Sequence, residues 1–147
     1  MVLLVPFDGS DLSQAALERA TEFSEYRDED VLALVVVPDE PDYALERNWL
    51  SPNDPFDPEA IADTLRERVA EIAPEAEFRA EVPEDVSSMA SITTDVVRTI
   101  RSVANDVDAS IVFIGSENAG RVSSPVSSVG APVSEDPRYD VHIVRHA

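Results

Sequence analysis

Two short polar segments carry most of the residues in this sequence that can do chemistry. Asp8-Gly9-Ser10 offers a carboxylate and a hydroxyl, and the segment Gly115 to Gly120 offers glycine amides beside Ser116. A carboxylate accepts hydrogen bonds from amines and hydroxyls, and glycine lets the backbone approach a phosphate closely. These groups indicate a site for a small ligand. They equally suit plain strand-to-helix turns, with Ser10 or Asp11 capping the helix.

The segment after Gly120 adds further groups of the phosphate-binding type. Because the sequence contains no lysine, a phosphate would depend on backbone amides, a helix N-terminus, hydroxyls and a metal ion. Arg121, Ser127 and Ser128 can supply charge and hydroxyls, whereas Glu117 repels a triphosphate unless it shares a magnesium ion. The serines of this region also fit an ordinary helix start near Pro125.

The composition argues against several classes of function. Thirty acidic and 11 basic residues give a formal charge of -19, which repels nucleic acids. The absence of cysteine removes disulfides, thiolate zinc sites and cysteine nucleophiles, and no Gly-x-Ser-x-Gly sequence supplies a serine nucleophile. We therefore expect a binding protein rather than an enzyme, with slow ATP hydrolysis at most. All 11 basic residues are arginine, and this composition is typical of a halophilic protein hydrated in multimolar salt.

The length and hydropathy predict one domain over residues 1–147 in the cytoplasm. The N-terminus has no basic leader, and no apolar run approaches the length of a membrane span. His142 and His146 are too isolated to predict a metal site or a catalytic role.

The apolar pattern predicts alternating strands and helices. Unbroken apolar runs predict buried strands, and an alternating run predicts an edge strand. The buried strands are Val2 to Phe7, Val31 to Val37, Ala109 to Ile114 and Val141 to Val144, and the edge strand is Glu77 to Val82. Helices are expected from about Asp11 with Leu12, Ala16, Ala20 and Phe23 buried, from Pro58 to Pro74, from Met89 to Val107, and around Ser124 to Asp136.

This order predicts an α/β fold, a doubly wound five-stranded mostly parallel sheet with helices on both faces. Ligands of such sheets bind where the strand order reverses, beyond the carboxyl ends of the strands. The site is therefore expected between the loops after the first and fourth strands. The proline-rich segment Pro38 to Pro58, with one helical turn at Tyr43 to Trp49, fits either a lid or a covering loop.

Three segments resemble universal stress proteins. They are Val5-Pro6-Phe7-Asp8-Gly9-Ser10 with Ser13 and Ala16-Leu17 after it, Ile111 to Ser116, and Val141 to Val144. The resemblance implies the strand order 3-2-1-4-5 of an adenine nucleotide alpha hydrolase-like fold. It also implies a homodimer joined through Val141, His142, Ile143 and Val144.

The resemblance further implies a nucleotide site for ATP or another adenine nucleotide with Mg. In the nucleotide-binding branch an aspartate at the position of Asp8 contacts adenine, and three glycines followed by a hydroxyl residue hold the phosphates. The residues implied are Pro6, Phe7, Asp8, Val36, Gly115, Ser116, Gly120, Arg121, Ser127, Ser128 and Gly130.

The chain resembles a haloarchaeal-type member of the family, and its ATP-binding glycine motif is degenerate. The family pattern has two residues between its first two glycines, but four stand between Gly115 and Gly120; nine then follow before Gly130. Without a gap, Ser128 takes the place of the third glycine. Two functions stay open: a stress-response regulator that binds an adenine nucleotide, and a ligand-independent dimeric interaction module on the same fold.

Overall fold

A computed structural model describes residues 1–83, 89–116 and 138–147 of the chain. The elements in chain order are β1 (Val2–Pro6), α1 (Asp11–Arg27), β2 (Asp30–Val36), α2 (Pro41–Glu46), α3 (Pro58–Ile72), β3 (Glu77–Glu81), α4 (Met89–Asp106), β4 (Ala109–Gly115) and β5 (Asp140–Val144). The helix expected around Ser124 to Asp136 lies outside the described residues.

The five strands form one parallel sheet in the order β3-β2-β1-β4-β5, which confirms the predicted fold class. The strand order reverses between β1 and β4. The chain first builds outward from β1 through β2 to β3, and it then continues with β4 and β5 on the other side of β1. The carboxyl ends of β1 and β4 therefore flank the switch point.

Each face of the sheet is covered by helices. Side chains alternate along a strand, so Leu3 and Val5 join the cluster under α1 and α3, while Leu4 joins the cluster under α4. Helices on both faces explain why the central strands are unbroken apolar runs, since each such strand is buried on both sides.

Helix α1 begins where it was expected and is capped by one of the two expected residues, but its buried face differs from expectation. Its N-cap is Ser10, whose side chain accepts a hydrogen bond from the Ser13 amide, so Asp11 is the first helical residue rather than the cap. Phe23 was expected in the core, but it is 37% exposed. Small residues such as Ala16 and Ala20 form the buried stripe and let the helix pack closely on the sheet.

Strand β3 lies at the edge of the sheet, as predicted, but its alternation does not follow the apolar residues. Ala80 and Val82 are exposed, whereas Arg79 is half-buried and pairs with Glu81 at 2.7 Å. The ion pair lets Arg79 lie half-buried at a position that the alternation predicts to be exposed. In the described parts of the chain, no helix has the length and apolar character that a membrane crossing requires.

Candidate functional site

The loop after β1 is held in one conformation by its own polar groups. The Ser10 amide donates a 2.9 Å hydrogen bond to Asp8 Oδ1, and the Asp8 amide lies 3.4 Å from Ser13 Oγ, its acceptor. Gly9 between them has a φ of +84°, a left-handed conformation that favours glycine. The loop is a tight turn, and one oxygen of the Asp8 carboxylate is used to build it.

A small pocket lies at the switch point, between the carboxyl ends of β1, β2 and β4; we call it the switch-point pocket. Its volume is about 60 Å³. Five residues that the sequence assigned to a nucleotide site line it: Pro6, Phe7, Asp8, Val36 and Gly115. Apolar side chains of α4, among them Val96 and Ile100, form another wall.

Among the described residues of the assigned set, only Ser116 is not part of this lining. Ser116 follows β4 and is exposed. Gly120, Arg121, Ser127, Ser128 and Gly130 lie outside the described residues, so the register of the glycine motif stays a prediction.

Two residues that the sequence analysis did not assign to the site close the pocket from above. Tyr43 of α2 and Arg47 after it both line the pocket, with the Arg47 guanidinium carbon 3.5 Å from the centre of the Tyr43 ring. Burial raises the pKa of the Tyr43 phenol; the positive charge of Arg47 opposes this shift and the negative charge of Asp8 adds to it. Arg47 Nε is buried and has no hydrogen-bond partner among the described residues.

The proline-rich segment covers this end of the sheet through Trp49. The indole Nε1 of Trp49 donates a 2.8 Å hydrogen bond to the Asp8 carbonyl oxygen, and its ring packs edge-on against Tyr43 at 5.7 Å. The segment thus attaches directly to the loop after β1, and α2 within it places Tyr43 and Arg47 over the pocket.

A second, larger cavity lies on the α1 and α3 side of the same loop; we call it the arginine cleft. Its volume is about 630 Å³. Its walls come from the loop after β1, the end of α2 and one face of α3, and include Gly9, Ser10, Arg47, Trp49, Leu65 and Arg68. Arg47, Asp8 and Ser10 line both cavities, which are therefore neighbours across the loop.

The two described glycines of the site are favoured for different reasons. A Cβ atom at Gly9 would lie 2.6 Å from Arg68 Nη1, and one at Gly115 would lie 2.9 Å from the Cβ of Leu12. The end of the Arg68 side chain can move aside, so at Gly9 the left-handed backbone is what favours glycine. At Gly115 the reason is the approach of α1 to the end of β4, since the Leu12 Cβ cannot move away.

The groups at the switch point are suited to binding a ligand. The pocket combines apolar walls with one carboxylate, one guanidinium and a tyrosine ring, which suit a flat, partly polar ligand. Within residues 1–83, 89–116 and 138–147, no three acidic or histidine side chains are grouped so that they could hold a metal ion.

The parallel sheet and the pocket at its switch point place the chain in the class of doubly wound α/β proteins with a nucleotide-binding-like fold. The model of the universal stress protein family matches residues 1–145, and the chain belongs to that family. No curated protein matches the chain.

Several solved structures share the fold over nearly the whole chain. A universal stress protein in complex with cAMP is 22% identical, with a TM-score of 0.57, covering 100% of this chain and 98% of the other. A universal stress protein from Archaeoglobus fulgidus in complex with dAMP is 17% identical, with a TM-score of 0.56, covering 99% and 98%. Universal stress protein UspA from Lactobacillus plantarum is 18% identical, with a TM-score of 0.52, covering 99% and 97%.

Proposed function

We propose that this universal stress protein binds an adenine nucleotide at the switch-point pocket and acts as a stress-response regulator. The observation that carries the proposal is the meeting of Asp8, Val36 and Gly115 in one pocket, although they are far apart in sequence. Two relatives of the same fold are described as complexes with cAMP and dAMP, both adenine nucleotides. Their ligands support the adenine part of the proposal.

The pocket must enlarge to receive a base, because 60 Å³ is well below the roughly 300–1,000 Å³ of small-molecule sites. Arg47 is the element that would move, since its guanidinium lies against the Tyr43 ring and its buried Nε has no acceptor. In this proposal the adenine replaces the guanidinium on the Tyr43 ring, and the Asp8 carboxylate accepts a hydrogen bond from the nucleotide.

The phosphates would extend from Gly115 toward the segment that contains Gly120, Arg121, Ser127, Ser128 and Gly130. Phosphate oxygens and waters supply most ligands of a nucleotide-bound Mg²⁺, so the ion would arrive with ATP rather than occupy a protein cage.

The first experiment is to purify the protein in multimolar KCl with magnesium, denature it, and identify any released nucleotide by chromatography and mass spectrometry. Stoichiometric ATP, ADP or AMP is the expected result. An empty protein that also shows no thermal shift with these nucleotides would overturn the proposal and favour the ligand-independent interaction module.

A pair of substitutions separates the ligand role of Asp8 from its structural role. Asp8→Asn keeps an oxygen that can accept from the Ser10 amide, whereas Asp8→Ala removes the turn hydrogen bond as well. Loss of nucleotide in both variants, with the stability of Asp8→Asn retained, is expected. Unchanged nucleotide content in Asp8→Asn would show that the negative charge is not used.

We also propose that two copies of the chain pair through β5, that the protein works in the cytoplasm, and that it comes from a salt-loving cell. Strand β5 stands at one end of the sheet order, and Ile143 on it is 39% exposed. An exposed sheet edge with apolar side chains is a natural site for strand pairing.

The excess of acidic residues supports the halophilic part of the proposal.

A further inference from the structure

We propose that the arginine cleft is a second ligand site, which binds the phosphate group of a small organic phosphate monoester with an aromatic or apolar carbon part. The inference does not rest on nucleotide binding at the switch-point pocket, although the two cavities share Asp8, Ser10 and Arg47. At about 630 Å³, the cleft has the size of ordinary small-molecule sites.

The phosphate part of the proposal rests first on Arg68 of α3. Its guanidinium packs against the Gly9 backbone and lies 5.8 Å from the centre of the Phe7 ring. No carboxylate lies within salt-bridge distance of it in the part of the chain that the structure describes. Gly9 has no side chain to block this position, so the loop holds Arg68 in place without neutralising it.

Arg47 supplies a second positive charge at the same cleft. It forms no ion pair with a described carboxylate, and its buried Nε is one of two buried side-chain polar atoms in the described chain without a hydrogen-bond partner. A buried donor without an acceptor is costly, and an anionic ligand is one way to satisfy it. Arginine suits phosphate because its planar donors match two phosphate oxygens at once.

The acidic residues of the cleft limit how much negative charge the ligand can carry. Asp8, Asp11 and Glu46 also line it, although they form no ion pair with the arginines. Asp11 and Glu46 are exposed and screened by salt, and Asp8 Oδ1 already accepts from the Ser10 amide. Two arginines beside three carboxylates suit a single phosphate group better than a polyphosphate.

The carbon part of the ligand is inferred from the apolar side chains of the cleft. Ile61 and Leu65 of α3 are buried core residues that also line the cleft, and the Trp49 ring lies at its wall. The Trp49 indole is fixed by its hydrogen bond to the Asp8 carbonyl oxygen, so it offers a preformed aromatic surface.

The probe for this site is phenyl phosphate, with phenol as its uncharged counterpart, at constant ionic strength. Trp49 is the single tryptophan of the chain and lines this cleft, so one indole ¹H–¹⁵N signal reports binding there, and the arginine variants below assign that signal to the cleft. Phenyl phosphate is expected to shift that signal with a dissociation constant of about 1 mM or below, and phenol to bind at least about tenfold more weakly.

The substitutions that test the site are Arg68→Gln and its matched control Arg66→Gln. Arg66 lies on the same helix but packs over Phe78, outside the cleft. Arg68→Gln should weaken phenyl phosphate binding at least about tenfold and leave adenosine binding unchanged, whereas Arg66→Gln should change neither. Should Arg68→Gln fail to fold, Arg47→Gln is expected to weaken phenyl phosphate binding in the same way.

Two results would overturn the proposal: no shift of the Trp49 signal with phenyl phosphate, or equal affinity in Arg68→Gln and Arg66→Gln. Either result can occur with adenosine still bound at the switch-point pocket, and binding of phenyl phosphate can persist when adenosine does not bind. Failure of this inference is therefore distinguishable from failure of the proposed nucleotide function.

Discussion

The indole Nε1 of Trp49 donates a 2.8 Å hydrogen bond to the carbonyl oxygen of Asp8, a residue 41 positions earlier in the chain. This contact joins the proline-rich segment to the loop that carries the candidate ligand-binding carboxylate. It also restrains Arg47, which lines both the switch-point pocket and the arginine cleft, because Arg47 lies only two residues before Trp49.

Trp49→Phe should therefore loosen the covering segment without removing its ring. The variant keeps an aromatic ring beside Tyr43 but leaves the Asp8 carbonyl without its donor, at a cost of about 1 kcal/mol in the free energy of unfolding. Urea unfolding followed by circular dichroism measures this cost, and amide exchange in α2 should become faster. A variant as stable and as protected as the parent would show that the hydrogen bond does not hold the segment.

Gly115→Ala should destabilise the protein because α1 leaves no room for a side chain at the end of β4. The new Cβ would lie 2.9 Å from the Cβ of Leu12, a backbone-proximal atom that cannot rotate away. Overpacking of this kind costs about 1–3 kcal/mol. The matched control is Ser116→Ala, since Ser116 is the exposed next residue; both are compared by urea unfolding. Equal stability of the two variants would contradict the prediction.

Much of the fold could be predicted because parallel strands covered on both faces leave long apolar runs, such as Leu3 to Val5 and Val31 to Val37. The burial of α1 was harder to predict. Its packing face is made of small residues such as Ala16 and Ala20, whose hydropathy signal is weaker than that of Phe23. Close packing on the sheet selected the small residues, and Phe23 lies beside His142 and Phe113 instead.

Only part of the candidate site could be predicted from the sequence, because helix packing decides the rest. Asp8 and Gly115 directly follow strands, and strand ends meet at one edge of a parallel sheet, so their proximity follows from topology. Arg47 directly follows α2 and Arg68 lies on α3, and the orientation of these helices depends on packing and on the Trp49 hydrogen bond. In the sequence they are two of 11 arginines, and no pattern around them assigns them to the site.

His142 should make the protein less stable as the pH falls below neutrality. Burial, together with the positive charge of Arg19, lowers the pKa of its imidazole from the ordinary 6.5. The unfolded chain therefore binds the proton first, so the stability provided by the neutral ring is present above pH 6.5 and is lost as the pH falls below it.

The variant His142→Phe keeps the stacked contact with Phe113, whose ring centre lies 4.9 Å away, and removes the titration. Between about pH 7 and pH 5 its urea midpoint should fall less than that of the parent protein, while all carboxylates titrate in both. Parallel pH profiles of the two proteins would exclude this role of His142.

The charge of -19 should make stability depend strongly on salt. Repulsion among like charges opposes the compact state, and its range falls from about 10 Å at 0.1 M salt to about 3 Å at 1 M. The urea midpoint is expected to rise when KCl increases over that interval. Sucrose at matched osmolality serves as the control for general exclusion effects, and a midpoint insensitive to KCl would argue against salt adaptation.

Pairing of two chains through β5 can be tested with two exposed apolar residues at opposite edges of the sheet. Ile143 on β5 is 39% exposed, and Val82, directly after the edge strand β3, is 44% exposed. In a two-fold symmetric pair the same residues of both copies meet or lie close, so Ile143→Glu brings like charges together, whereas Val82→Glu does not. Light scattering in KCl should give twice 16.0 kDa for the parent and for Val82→Glu, and 16.0 kDa for Ile143→Glu. A monomeric parent, or a dimer that survives Ile143→Glu but not Val82→Glu, would place the association elsewhere.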